Sequence, residues 1–373
     1  MVLLVFSLWH SVEENTIKKI KKNNDMKKLI YLFAIALTLF MAQNTKAQSP
    51  IAVQNDNGTS LFATLDLAIT NAVAGDYIYL PGGSFNISVP INKPLHIVGV
   101  GHNPDSCAVT GITQVTGSFY FNSGSDHGSI TGLKISDGVC FNVSATEPIL
   151  NYFSVERCSF RWLNLSTRTS NILINECVIN GSITGNNTQN FQLSKCIVFV
   201  GIIGFQSNAY FINNIFPSST TTFRVVNDCF FRNNIFIGKL VDPAFIDYNP
   251  PPSSINNLFQ NNVFNNGFDL STTSVSGTTT YVYNVFQNNI TGPVSSLFVN
   301  QSGTEFDYKQ DYHIKADSPA HHAGTDGTDL GIYGTDNPWK EGSLPNTPHI
   351  QSKSISTVNG NLNVKVKVAA QNN

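Results

Sequence analysis

Three cysteines recur at a fixed interval. In "VERCSF", "INECVI" and "LSKCIV", Cys158, Cys177 and Cys196 stand 19 residues apart. The segments "FINNIF", "FRNNIF", "FQNNVF" and "YVYNVF" continue the column as Asn214, Asn234, Asn262 and Asn284, at steps of 18, 20, 28 and 22. Three positions before the column every row is apolar: Val155, Ile174, Leu193, Phe211, Phe231, Phe259 and Tyr281. Two positions after it the same holds for Phe160, Ile179, Val198, Phe216, Phe236, Phe264 and Phe286.

A period near 20, built from short β-branched and aromatic runs bounded by Gly, Asn, Ser and Pro, excludes helices. It points to a solenoid whose coils stack parallel strands, one row per coil. At a strand spacing of ~4.8 Å, like residues lie over like: apolar columns make the core and the Asn column makes an amide ladder along a corner. The three cysteines are then a buried stack of free thiols acting as small hydrophobes. Strand spacing keeps their Cβ atoms beyond the ~3.5–4.5 Å of a relaxed disulfide. Arg157, Glu176 and Lys195, one position earlier, predict an exposed cross-strand ladder of alternating charge, with a catalytic Glu176 as the alternative.

Only 12% of residues are charged, the net charge is −2, and no basic block lies beyond the first 30 residues. That excludes the electrostatic footprint of a nucleic-acid binder. Residues 26–47 read as a secretory signal peptide: Lys27 and Lys28, an apolar run from Leu29 to Met41, and a small-residue exit at Ala47. The apolar run falls short of the ~20 residues of a membrane span. The expectation is an exported chain (periplasmic, outer-surface or extracellular) with no integral span after signal removal. Residues 1–25 read as lying upstream of a better start at Met26. The six cysteines form no CxxC or Cys/His pattern with zinc spacing.

Residues 48–94 predict an N-terminal cap. Leu61, Leu65, Ala68, Ile69 and Ala72 fall on one helical face, with Ser60 as N-cap and Gly75 as stop. Together with "DYIYLPGGSF" and "LHIVGVGH", this entry resembles that of the pectin-lyase-like right-handed parallel β-helices. The resemblance runs over residues 60–335. It implies an all-β, right-handed parallel β-helix of about ten coils over residues 95–335. "DYHIKADSPAHHAGTDGTDLGIYG" would be its closing coil. Residues 336–373 predict an extended tail whose alternating Val364, Lys365, Val366, Lys367 and Val368 make an edge strand capping or leaving the last coil.

The resemblance implies polysaccharide chemistry, yet its machinery is missing. The N-T-D, D-D, G-H-G and R-I-K segments of polygalacturonase-like members are absent, as is the R-x-P-x-x-R of pectate-lyase-like ones. Asp228, Asp242, Asp247 and Asp269 share no column, so no glycosidase carboxylate pair can be read from register. The densest polar constellation is Asp311, His313, Asp317, His321, His322, Asp326 and Asp329. Within it Asp326 and Asp329 are candidates for calcium or another metal, against ordinary turn chemistry. Adjacent His321 and His322 would point to opposite faces of a strand. No other cofactor is implied. Arg161 and Trp162, just past the first cysteine row, are candidates for a sugar-stacking platform, against coil-to-coil packing. Three functions remain. The first is a non-catalytic β-helix that binds an extended polysaccharide or cell-surface glycan, or serves as a surface scaffold. The second is a diverged lyase or glycoside hydrolase acting on an acidic glycan. The third is an adhesin-like protein-binding module.

Overall fold

The computed structural model describes residues 50–370, apart from 187, 207, 219, 242–255, 266–272, 277–278, 283, 303–304, 347 and 360. The expectations for residues 1–25 and 26–47, and for Asp242, Asp247 and Asp269, lie outside the described residues. No helix among the described residues is long and apolar enough to cross a membrane.

Each coil follows the plan of residues 150–164. Leu150–Glu156 enter a first sheet, Arg157 turns the chain, Ser159–Phe160 enter a second sheet and Trp162–Asn164 a third. The next coil lies in register on all three: Val155 opposite Ile174, Phe160 opposite Ile179, and Leu163 opposite Ile183. Among the described residues the sheets have twelve, ten and seven strands. Apart from the entry hairpin Ile51–Asn55 and Gly58–Phe62, their strand pairs are parallel. The molecule is an all-β parallel β-helix.

Stacking makes the core from few residue types. Phe211, Phe231 and Phe259 stack with ring centroids 4.6 Å apart and planes within 10°. Phe216, Phe236 and Phe264 form a second column at 4.7 and 4.9 Å. All six are buried, each contributing about 1.5–3 kcal/mol.

The corner between the first and second sheets is tight. Its residues, Arg157, Glu176, Lys195, Asn213, Asn233, Asn261 and Asn288, all have φ between 49° and 57°. That left-handed region suits Asn and costs a long side chain energy. The residue after each turn compensates. The Cys158 and Cys177 N–H groups donate to Sγ of Cys177 and Cys196 at 3.5 and 3.3 Å. Cys196 N–H donates to Asn214 Oδ1, Asn214 to Asn234, Asn234 to Asn262 and Asn262 to Asn289, at 2.8–2.9 Å. Thiol and amide therefore do the same work, each accepting from the backbone of the preceding coil. All six cysteines are free and buried.

One row of the expected column is misplaced. Asn284 lies opposite Asn257, five residues earlier in the strand, and Asn289 takes the place expected for it. Asn284 belongs to a second ladder, in which Cys229 N–H donates to Asn257 Oδ1 and Asn257 Nδ2 to Asn284 Oδ1. The segment "YVYNVF" mimics the row pattern one strand-length too early. Phe286 stacks on Phe259 at 5.1 Å, in the column before the corner.

The ends also depart from expectation. The N-terminal helix α1 spans only Leu65–Asn71, and its N-cap is Thr64, whose Oγ1 accepts from Leu67 N–H. Ser60 and Leu61 sit in a strand instead. Residues 311–334 are not a closing coil. After Ile290–Gly292, the last strand of the second sheet, the chain runs back along the outside of that sheet as a cover. Its Leu297, Phe298, Tyr312, Ile314, Leu330, Ile332 and Trp339 form a second core with the outward-facing Val178, Ile197, Ile215, Ile235 and Val263.

The cover is clipped to the corner column in reverse coil order. Ala323 O accepts from Asn261, Gly331 N–H donates to Asn233 O, and Asn337 O accepts from Lys195 Nζ at 2.8 Å. Leu344 O accepts from Arg157 at 2.8 Å. Arg157 and Glu176 are consequently 4% and 3% exposed, so they are not the exposed ladder expected. Glu176 is a hub: its carboxylate takes Arg157 Nε at 2.9 Å, Lys195 Nζ at 3.2 Å and Lys340 N–H at 3.1 Å. Trp339 Nε1 donates to its backbone carbonyl at 3.3 Å. The tail is a separate antiparallel hairpin, His349–Val358 with Asn361–Ala369, rather than a strand of the last coil.

Two substitutions test this account. Asn234→Ala leaves Asn214 N–H and the Phe211 carbonyl without their side-chain partner, and is expected to lower unfolding free energy by about 2–3 kcal/mol. Exposed Asn337→Ala should stay within about 0.5 kcal/mol. Equal denaturation midpoints would refute the ladder's role. Glu176→Ala strands two cations beneath the cover, a change expected to cost about 3–5 kcal/mol and to open residues 335–348 to limited proteolysis. Cleavage no faster than in the parent would show that Glu176 clamps nothing.

Candidate functional site

A cavity of about 250 Å³ opens where the cover meets the early coils, lined by Asn103, Phe306, Asp307, Tyr308, Gln310, Asp311, Tyr312, Tyr333, Trp339 and Glu341. Its walls are aromatic because the cover's apolar residues must shield the second sheet. Its rim is polar because the sheet's outward residues change from Val178 and Ile197 to Ser159 and Lys134 in earlier coils. Five aromatic rings and three carboxylates line one space, with no Lys or Arg among them.

Each group is held. Tyr312 and Trp339 are 2% and 8% exposed. Tyr333 lies edge-on to Trp339 with centroids 6.0 Å apart, and His313 stacks on Tyr333 at 3.6 Å. Asp311 Oδ1 accepts from His313 N–H at 2.9 Å and lies 2.7 Å from its Nδ1. Burial pushes the Asp311 carboxyl up, but these His313 contacts outweigh it and hold it below its ordinary value. Asp311 is therefore an ionised acceptor at neutral pH, the wrong state for a general acid. Burial, and after it the Glu341 and Asp311 carboxylates, push the Tyr333 phenol well up, so it stays a donor. Its hydroxyl donates to Glu341 Oε1 at 3.5 Å. Burial likewise raises Tyr308 to about 12.

Tyr308 ties the cavity to the solenoid through His102, its hydroxyl 2.7 Å from Nδ1. His102 is fully buried, and its Nε2 has no hydrogen-bond partner among the described residues. Burial, with Lys134 nearby, lowers its pKa to about 3.

The residues singled out by sequence lie elsewhere. Arg161 is exposed and Trp162 half-buried at the start of a third-sheet strand. Trp162 lies opposite Gly138, where an added Cβ would meet the indole at 2.3 Å. The indole thus fills the space left by a glycine one coil earlier, as coil-to-coil packing. Asp326 Oδ1 accepts from Thr328 N–H at 3.1 Å and Oγ1 at 2.7 Å, an Asx turn. Asp329 instead joins His321 and His322, and their ligand atoms all lie within 4.8 Å of one another. The expectation that the two histidines diverge is wrong because they occupy a turn, with His322 at φ 52°. The surrounding Gly and Asp residues signalled that turn. The cavity itself escaped the sequence reading, since His102 and Tyr308 are 206 residues apart. A signal for the cover did exist: pairs such as Val178–Ile179 and Ile197–Val198 are apolar on both faces of their strand.

No protein-family model and no curated protein matches the chain. Among solved structures, one titled as the PL6 family polysaccharide lyase Pedsa3628 from Pseudopedobacter saltans is similar, at 14% identity and a TM-score of 0.29. The match covers 73% of this chain and 97% of that one.

His102 makes stability depend on pH. Its folded pKa is depressed, so between about 6.5 and about 3 the unfolded chain binds a proton that the folded one refuses. Stability from this group is fully present above about 6.5 and is lost as pH falls, by up to ~1.4 kcal/mol per unit. Chemical denaturation from pH 7 to pH 4 should show this slope, and His102→Asn should flatten it. An unchanged slope would count against neutral burial of this imidazole.

Proposed function

We propose that the protein is an exported, non-catalytic carbohydrate-binding β-helix whose cavity receives a neutral or amine-bearing glycan. The supporting observation is the lining: Tyr308, Tyr333 and Trp339 beside Asp307, Asp311, Glu341, Asn103 and Gln310, with no cation. Aromatic rings shield the apolar faces of a pyranose. Carboxylates and side-chain amides accept or donate to its hydroxyls, the pattern of a few placed polar groups in an apolar cleft. Three carboxylates repel a uronate, and no Lys or Arg lines the cavity among the described residues to neutralise one. An acidic-glycan lyase is therefore the weaker reading of this cavity. An ionised Asp311 argues against protonating a leaving group from that position. The adhesin-like reading draws support from another place, the C-terminal hairpin, where Ile355, Leu362, Val364, Val366 and Val368 are each at least 50% exposed.

Calorimetry with neutral, amino and uronic oligosaccharides tests this reading. Neutral or amino sugars should bind, and Tyr333→Ala or Glu341→Gln should weaken them about tenfold, ~1.4 kcal/mol. Digests of the same sugars should yield neither unsaturated ends nor new reducing ends. Binding confined to uronates, release of cleaved products, or capture of a protein on the hairpin with no sugar bound would each overturn it.

A further inference from the structure

The turn of the cover between Ala320 and Leu330 carries a group of side chains that the carbohydrate reading does not use. It is closed by Leu330 N–H donating to Ala320 O at 3.1 Å and Gly324 N–H to Thr328 O at 2.8 Å. Asn233 and Asn261 clip it to the corner column: Thr325 N–H donates to Asn233 Oδ1 at 3.1 Å, and Asn261 Nδ2 to Ala323 O at 2.8 Å. On this anchored turn the rings of His321 and His322 lie 3.8 Å apart, centroid to centroid.

The hydrogen bonds of these rings fix their tautomers. His322 Nδ1 is 3.1 Å from Gly327 O. A carbonyl only accepts, so Nδ1 carries the proton and Nε2 of the neutral ring keeps a lone pair. His321 Nδ1 is 2.7 Å from Asp329 Oδ1. The carboxylate also only accepts, so the second ring is set in the same tautomer. His322 thus has the backing that metal-ligating histidines have, its far ring N–H donated to a carbonyl, while in His321 a cation would replace the Nδ1 proton that bridges to Asp329. Asp329 uses Oδ1 for its ring contact and for His322 N–H at 2.9 Å, which leaves Oδ2.

We propose that His321, His322 and Asp329 form a divalent transition-metal site, best suited to Zn²⁺, with one ring nitrogen from each imidazole and a carboxylate oxygen as ligands. One ligand atom from each residue lies within 4.8 Å of the other two. Zn–N bonds of ~2.0–2.1 Å put tetrahedral donors about 3.4 Å apart. Two imidazoles and one carboxylate favour Zn²⁺ over Ca²⁺, which takes six to eight oxygens. Asp326 is outside the set, its Oδ1 being held by Thr328. None of the three residues lines the cavity, so the site stands independently of the glycan reading. Its metal would tie the turn's two ends together and stiffen the cover where it meets the solenoid.

Titration of untagged, chelator-treated protein with Zn²⁺ and Co²⁺, read by calorimetry and by Co²⁺ visible absorption, tests the site. One equivalent of Zn²⁺ is expected, with four-coordinate Co²⁺ bands and a Zn²⁺-dependent rise in melting temperature. His322→Gln, at an exposed position, should remove the bands and weaken Zn²⁺ at least tenfold. Asp329→Asn should weaken it about 10- to 100-fold, and Asp326→Asn should change nothing. Absence of a 1:1 complex, equal affinity in His322→Gln, or preference for Ca²⁺ would overturn the assignment. Glycan binding unchanged by chelator would leave the carbohydrate reading intact whatever the metal result.

Discussion

Every coil must turn sharply between its first and second strands, and the left-handed residue that makes this turn aims its neighbour's N–H along the solenoid axis. That N–H is buried and must find an acceptor. Cys158, Cys177, Asn214, Asn234 and Asn262 meet the need alike, since a side-chain atom one coil further on accepts it. An amide adds a second bond: Asn214 and Asn234 each also donate through Nδ2 to a backbone carbonyl, Leu193 O and Phe211 O. The thiol rows use S–H toward carbonyls such as Glu156 O and Asn175 O. Burial raises Cys158 to about 12, so these thiols stay protonated and serve structure rather than reaction.

The same corner holds the cover. Where Asn turns the chain, its side chain reaches outward to the cover's backbone, as Asn213 does to Gly331 O at 3.0 Å. Where Arg157, Glu176 and Lys195 turn it, ions do so instead, and Glu176 offsets the two cations around it. A left-handed Arg, Glu or Lys costs backbone energy, and the clamp gives that strain a structural return. The polar clips along one edge and the apolar face of the second sheet together explain why the cover runs back over the early coils. Its aromatic residues then meet the polar outer rows near Ser159, and this mismatch leaves the cavity.

The proposed carbohydrate recognition rests on that boundary. A wall of rings is required to seal the second sheet, and the adjoining carboxylates face water where the sheet turns polar. Glu341 accepts from the Tyr333 hydroxyl and Asp311 lies close enough to raise that phenol with it, so aromatic rings and hydrogen-bond acceptors line one space.

The parallel β-helix was legible in the chain itself, because stacking converts a 19-residue step into vertical contact and leaves matched apolar columns in plain view. Ladder membership was readable through Asn262 and failed at Asn284, where the coil lengthens and a neighbouring strand imitates the pattern. The thiol column was readable too, although its role as a hydrogen-bond acceptor was not. Only tertiary structure decided the burial of Arg157 and Glu176, the convergence of His321, His322 and Asp329, and the cavity whose Tyr308 is hydrogen-bonded to His102. Local periodicity records which face of a strand is apolar, whereas contacts between segments more than a hundred residues apart depend on where a non-repeating stretch comes to rest. The cover has no period, so its path was fixed by the apolar face and the corner groups it had to satisfy.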